Sequence, residues 1–60
     1  MHRVGTSDLY YTYYDQPRPY GGYWVGRGTK YGWDMVKAFK TAAAAKKYAI
    51  RMAGTDTYHD

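Results

Sequence analysis

Strand-forming residues cluster in three segments of this chain, and a helix-forming segment follows them. The strand segments are 9–14, 23–27 and 33–39, which are rich in aromatic and β-branched residues and are bounded by Asp, Gly or Pro. The short connection 28–32 predicts a hairpin between the second and third strands. The simplest fold is α+β, a three-stranded antiparallel sheet packed by one C-terminal helix in the order β-β-β-α.

The predicted helix has a signal at each end. Thr41 is a good N-cap, the alanines that follow it are the best helix formers, and Gly54 suits the position just past the end. One apolar face results from the i, i+3, i+4, i+7 spacing of Ala45, Tyr48, Ala49 and Met52.

Two strands have patterns that a simple sheet does not explain. The first has aromatic residues on both faces, so one face can form the core while the other must be exposed or covered by a partner. In the third, alternation puts Lys37 on the same face as Phe39, and burying a lysine is costly. A β-bulge near Lys37 or Ala38 would resolve the conflict.

The length of 60 residues predicts one domain with a thin core. We expect a flexible N-terminal arm at 1–8, a single domain at 9–54 and a polar tail at 55–60, with a loop at 15–22 that contains two prolines and two glycines. The chain has no cysteine, so disulfides cannot stabilise it, and its 20% aromatic content must supply the core.

Positive charge is concentrated in the predicted domain. Eight basic residues and a single acid, Asp34, lie between Pro17 and Gly54, whereas both ends of the chain are acidic. Such a surface suggests an anionic partner, which would be nucleic acid, an acidic protein face or an anionic membrane, although the charge could also serve solubility alone. No signal peptide or membrane-spanning run is present, so we expect a cytoplasmic protein, and among these partners we expect nucleic acid or a protein and not a membrane.

The segment 22–53 resembles a pattern found in short β-β-β-α modules. It contains Gly22-Tyr23-Trp24-Val25 in a strand, Phe39-Lys40-Thr41 at a strand-to-helix junction, and then Ala45 and Tyr48-Ala49 in the helix. These features resemble AP2-type DNA-binding domains, the arm-binding domains of phage integrases, and similar uncharacterised small bacterial and phage domains. The resemblance implies that an exposed sheet face enters the DNA major groove, here with Trp24, Arg27, Lys30 and Trp33.

Catalysis has little support in the sequence. His2 and His59 lie at opposite ends, Ser7 is the only serine, and there is no glutamate, so no set of nucleophile, base and orienting group can be assembled. We therefore predict a protein that is not an enzyme, with no catalytic residues, no cofactor and no metal site.

Nucleic-acid binding, most simply to DNA, is the leading hypothesis, because cations interleaved with aromatic residues suit phosphate neutralisation and base stacking. Either tryptophan could instead belong to the core. The candidate phosphate contacts are Arg18, Arg27, Lys30, Lys37 and Lys40, and the candidate stacking or groove contacts are Tyr23, Trp24 and Trp33.

Protein binding is the alternative hypothesis, because Tyr, Trp and Arg are enriched at interface hot spots. The nine tyrosines exceed what one thin core can use. A phage-type inhibitor of a bacterial protein or defence complex, of the anti-CRISPR or host-takeover class, would have this composition. A homodimer that buries its spare tyrosines is a third possibility.

Overall fold

The computed structural model describes residues 1–18 and 21–60, which form one five-stranded sheet with a helix packed on one side. The strands are β1 (His2–Thr6), β2 (Leu9–Tyr13), β3 (Tyr23–Thr29), β4 (Gly32–Phe39) and β5 (Tyr58–His59), and helix α1 spans Ala42–Ala53. Their order across the sheet is β4-β3-β2-β1-β5, with β1 and β5 parallel and all other neighbours antiparallel. The α+β class and the single helix after the β3–β4 hairpin agree with the sequence, but the sheet has two more strands than the three predicted.

The two additional strands come from the ends of the chain. Residues 1–8, expected to be a flexible arm, contain β1, which pairs with β2 from His2 opposite Tyr13 to Gly5 opposite Tyr10. The expected polar tail contains β5, whose Tyr58 lies beside Gly5. Val4 is only 2% exposed and anchors β1 in the core. Val4 is the only apolar side chain in β1, and β5 has only two residues. Neither segment therefore has an alternation pattern from which the sequence could indicate a strand.

The core lies between α1 and the sheet face that it covers. Ala45 and Ala49 on α1 are fully buried, and their small side chains let the helix approach the sheet closely. They pack with Val4, Tyr11 and Val25, each from a different strand. The margin of this core is completed by partly buried side chains, which are Tyr13, Tyr23, Phe39, Tyr48, Ile50 and Ala53.

Both predicted helix ends are confirmed. The Thr41 side-chain oxygen accepts a hydrogen bond from the Ala44 backbone N–H at 3.1 Å. Gly54 adopts φ 76°, and its N–H donates to the Ile50 carbonyl at 2.9 Å. The predicted apolar face is wrong at Met52, which is 47% exposed because the helix turns Ile50 and Ala53 towards the core instead.

A β-bulge in β4 resolves the pattern conflict of the third predicted strand. Val25 lies opposite Lys37 and Gly26 lies opposite Met35, so Val36 is an extra residue, one position from the predicted site. Lys37 faces the helix side without being buried, because β4 is the edge strand. Its Nζ lies 5.3 Å from the ring centroid of Phe39 and 5.8 Å from that of Tyr48.

The predicted loop 15–22 includes Pro19 and Tyr20, which lie outside the described residues. On either side of them, the Arg18 N–H donates to the Gly22 carbonyl at 3.0 Å and the Gly21 N–H donates to the Arg18 carbonyl at 2.8 Å. These bonds hold Arg18 at the base of β3.

In the part of the chain that is described, no helix has the length and apolar character needed to cross a bilayer.

Candidate functional site

The sheet face opposite α1, called here the open face, is covered by no other element of the described chain. Residues paired across neighbouring strands share a face, so the pairing register assigns its members. Because of the bulge, Trp33 and Met35 belong to this face, whereas Lys37 and Phe39 do not. Its strand positions are Arg3, Gly5, Tyr10, Thr12, Trp24, Gly26, Gly28, Trp33, Met35, Ala38 and Tyr58.

Trp33 occupies the middle of the open face. Its indole ring lies against Gly26 of the neighbouring strand, so closely that a methyl group on Gly26 would overlap the ring. The indole N–H donates to the Thr12 hydroxyl on β2 at 3.0 Å. Thr12 is fully buried although it lies on the open face, because Trp33 covers it. Trp33 itself remains 38% exposed, so its ring is fixed in place and still accessible to a ligand.

A second group of aromatic residues lies on the open face towards β5. The ring of Tyr10 covers Gly28 as Trp33 covers Gly26, and it meets the ring of Tyr58 edge-on at 6.1 Å between centroids. The guanidinium of Arg3 lies 4.8 Å from the Tyr10 centroid and 5.8 Å from that of Tyr58. These cation–π contacts hold an exposed positive charge against the sheet at this side.

A third group lies near the start of β3. Trp24 is half-buried, and its indole N–H donates to the Gly21 carbonyl at 3.3 Å. The Arg18 guanidinium lies 5.7 Å from the Trp24 ring and 4.6 Å from the Tyr14 ring. Arg18 is therefore held close to the open face from the loop that precedes β3.

The electrostatics of the open face follow from this layout. None of its strand positions, all within the described residues, carries a carboxylate. Arg3 and Arg18 place positive charge on two sides of the central indole. The acid Asp34 lies on the other face of β4, opposite Arg27. The open face thus combines flat rings with unopposed arginines, which suits a ligand that is both aromatic and anionic.

The structure brings only some of the predicted binding residues together. Trp24 and Trp33 share the open face, Arg18 lies beside Trp24, and neither tryptophan joins the buried cluster. Tyr23 packs at the margin of the core on the helix side, where Arg27 and Lys37 also point. Lys30 lies in the β3–β4 turn with its Nζ 5.3 Å from the Tyr31 ring, and Lys40 lies between β4 and α1.

Sequence reasoning did not select three residues of the open face, Arg3, Tyr10 and Tyr58. Arg3 lies in the segment expected to be a flexible arm, and Tyr58 in the expected polar tail. For Arg3 the signal was too weak, because Val4 is the only apolar side chain in β1 and one such residue does not define a strand face. For Tyr58 the sequence offered no signal, since its position depends on the parallel pairing of β5 with β1.

A separate cleft of about 240 Å³ lies between α1 and the edge strand. Its floor is formed by Phe39, Ala44 and Tyr48, and Lys47 and Arg51 line its rim. The cleft is shallow and open, and it is on the opposite side of the sheet from Trp33. It therefore forms no part of the open-face site.

One histidine–aspartate contact lies away from these rings. The His2 Nε2 and an Asp15 carboxylate oxygen are 3.0 Å apart, and His2 stacks on Tyr13 at 4.9 Å between centroids. The hydrogen bond with His2 lowers the pKa of Asp15 below its usual value of 3.8. The pair joins the start of β1 to the end of β2 and thereby supports the strand that carries Arg3.

No group of three His, Cys, Asp or Glu side chains that could hold a metal ion occurs within residues 1–18 and 21–60. The chemistry that the open face offers is ring stacking and charge pairing.

Compared with known proteins, the chain matches no protein-family model, no curated protein and no solved structure.

Proposed function

We propose that this protein is a small non-enzymatic nucleic-acid-binding protein and that the open face is its binding surface. The observation that carries the proposal is the fixed, 38% exposed indole of Trp33 on a face where Arg3 and Arg18 are the charged groups. Nucleic acids are the common biological ligands that combine flat aromatic rings with closely spaced negative charges.

Each part of the ligand has a counterpart on this surface. Trp33 offers a ring to a base, and Trp24 adds a second, half-buried ring beside it. Arg3 and Arg18 are exposed and are placed to pair with phosphates. The other basic residues proposed from sequence add long-range attraction: Arg27 and Lys37 from the helix side of the sheet, and Lys30 and Lys40 from the connections.

The number of phosphate contacts sets the expected salt dependence. Each phosphate contact with a single strand contributes about −0.7 to the slope of log affinity against log salt concentration, so two arginines give about −1.4. Affinity should then fall roughly sevenfold between about 50 and 200 mM salt. A much steeper slope would indicate that further lysine or arginine side chains contact the phosphates of the nucleic acid.

The test is fluorescence anisotropy of a labelled short oligonucleotide at those two salt concentrations. Arg3→Gln and Arg18→Gln should each weaken binding and reduce the slope by about 0.7. Lys46→Gln removes the same charge from the exposed side of α1, so it is the matched control and should change little. The proposal fails if no oligonucleotide binds at low salt, or if Lys46→Gln is as harmful as the arginine changes.

Protein binding is a second candidate because three large apolar or aromatic side chains of the β3–β4 hairpin are exposed. Tyr31 is 88% exposed, and Met35 and Val36 in β4 are 46% and 43% exposed. A bacterial protein partner, as a phage-type inhibitor would have, could cover them. Under this alternative, Tyr31→Ala abolishes capture of a partner from nuclease-treated bacterial lysate, whereas nucleic-acid binding through the open face is indifferent to Tyr31.

A further inference from the structure

We infer that the ligand of the open face is a single-stranded nucleic acid and that one base stacks on the outer face of the Trp33 indole. The inference rests on the proposed function and specifies its ligand. Three features support it. They are the contacts that hold the Trp33 ring, the arginines that lie over the neighbouring rings, and the lack of long polar side chains that could enter a groove of duplex DNA.

Two contacts hold the ring of Trp33 against the sheet. Gly26 lies directly beneath it, and the buried Thr12 hydroxyl accepts its N–H at 3.0 Å. The exposed 38% of the residue therefore includes the ring surface that points away from the sheet. An aromatic ring fixed in this way loses little conformational freedom when a base stacks on it.

The other large rings of the open face already have a cation against them. Arg3 lies over Tyr10 and Tyr58, and Arg18 lies over Trp24. Among the residues that the structure describes, no cation–ring or ring–ring contact involves Trp33. Trp33 is therefore the open-face ring available for stacking, and the arginines on either side can pair with the phosphates that flank the stacked base.

The shape of the face favours a single strand over a duplex. Bases in a duplex are stacked on one another, so they present edges and phosphates to a protein, and edges are read by long polar side chains that enter a groove. The open-face strand positions offer glycine, threonine, alanine, the apolar Met35 and rings lying on the sheet, and Arg3 is turned onto Tyr10. Unpaired bases can be splayed apart and laid face-on against a ring.

An abasic strand separates stacking from charge pairing without altering the protein. We would measure binding of a short oligothymidylate, the corresponding oligouridylate, an abasic strand of the same length and a duplex, all at about 50 mM salt. Loss of one base–ring stack should weaken binding of the abasic strand about 5- to 150-fold. The duplex should also bind more weakly than the single strands, and the DNA and RNA strands together show whether the 2′-hydroxyl contributes.

The fluorescence of Trp33 identifies the stacking residue. In Trp24→Phe, Trp33 is the only tryptophan, and its emission should be quenched by the oligothymidylate but not by the abasic strand. Trp33→Ala should reduce affinity for the base-containing strand to the abasic level. Tyr31→Ala, which removes an 88% exposed ring from the turn, should not change it. If Trp33→Ala does not fold, the comparison with the abasic strand and the quenching of Trp33 emission still show whether a base stacks on Trp33.

The outcomes distinguish failure of this inference from failure of the proposed function. Equal affinity for abasic and base-containing strands, without quenching of Trp33, overturns base stacking but leaves nucleic-acid binding in place. Tighter binding to the duplex than to either single strand overturns the single-strand assignment in the same way. Absence of binding to all four nucleic acids overturns both the inference and the proposed function.

Discussion

The Trp33 indole lies against the backbone of Gly26, and no side chain larger than the glycine hydrogen fits beneath it. Gly26→Ala should therefore lift the ring from the sheet and destabilise the protein by about 1–3 kcal/mol, as overpacking commonly does. Urea denaturation measures the loss. The matched change is Gly28→Ala, which displaces Tyr10 instead. Both variants should lose stability, but only Gly26→Ala should alter Trp33 emission in the Trp24→Phe background, and an equal change in both would contradict this geometry.

The hydrogen bond from Trp33 to Thr12 should contribute both stability and ring position. Thr12→Val keeps the shape of the buried side chain and removes the acceptor, at an expected cost of about 1 kcal/mol. Without this bond the indole is less restrained, so oligonucleotide affinity should also fall. Thr29→Val is the control, because Thr29 accepts a hydrogen bond from the Tyr31 N–H in the turn, away from the indole. If the two variants weaken binding equally, the hydrogen bond does not position the ring.

Close helix–sheet packing predicts a large difference between two alanines of α1. Ala49 is fully buried against the sheet, so Ala49→Leu should force the layers apart and cost about 1–3 kcal/mol. Ala43→Leu introduces the same side chain at an exposed position of the same helix and should have almost no effect. Thermal unfolding of the two variants measures the difference, and similar stabilities would mean that α1 does not pack on the sheet through Ala49.

The contact between His2 and Asp15 predicts a small dependence of folding stability on pH in the acidic range. Because the pKa of Asp15 is lowered in the folded protein, its carboxylate favours folding above the usual value of 3.8, and this contribution disappears as pH falls through the lower, folded-state pKa. The stability difference between wild type and Asp15→Asn should therefore be larger at about pH 5 than at about pH 2. Both side chains are exposed, so the difference should be small. Denaturant midpoints at the two pH values measure it, and a difference that grew on acidification would contradict the assignment.

Local signals were sufficient to predict the helix and the β3–β4 hairpin. Thr41 and Gly54 mark the ends of α1 through capping chemistry that acts within one turn. The conflict between Lys37 and Phe39 also indicated the bulge to within one residue, because alternation fails wherever an extra residue enters a strand.

What the sequence could not provide is the pairing between distant segments. The strands β1 and β5 exist because Val4 reaches the core and Tyr58 lies beside Gly5, and both relationships join residues far apart in sequence. For the same reason, composition indicated rings and cations but not which of them meet. Arg3 joins Tyr10 only once β1 pairs with β2, whereas Tyr23 and Arg27 turn to the opposite face from Trp24.

The most direct test of the account is an NMR titration of the isotope-labelled protein with a short oligothymidylate, because amide and indole N–H signals report the sheet and the helix separately. We expect the shifts to concentrate at the Trp33 indole N–H and at the amides of Gly26, Thr12 and Arg3, with those of Lys46 and Lys47 on α1 unchanged. Shifts confined to α1 or to its cleft with β4, or no shifts at low salt, would contradict the claim that the open face binds nucleic acid.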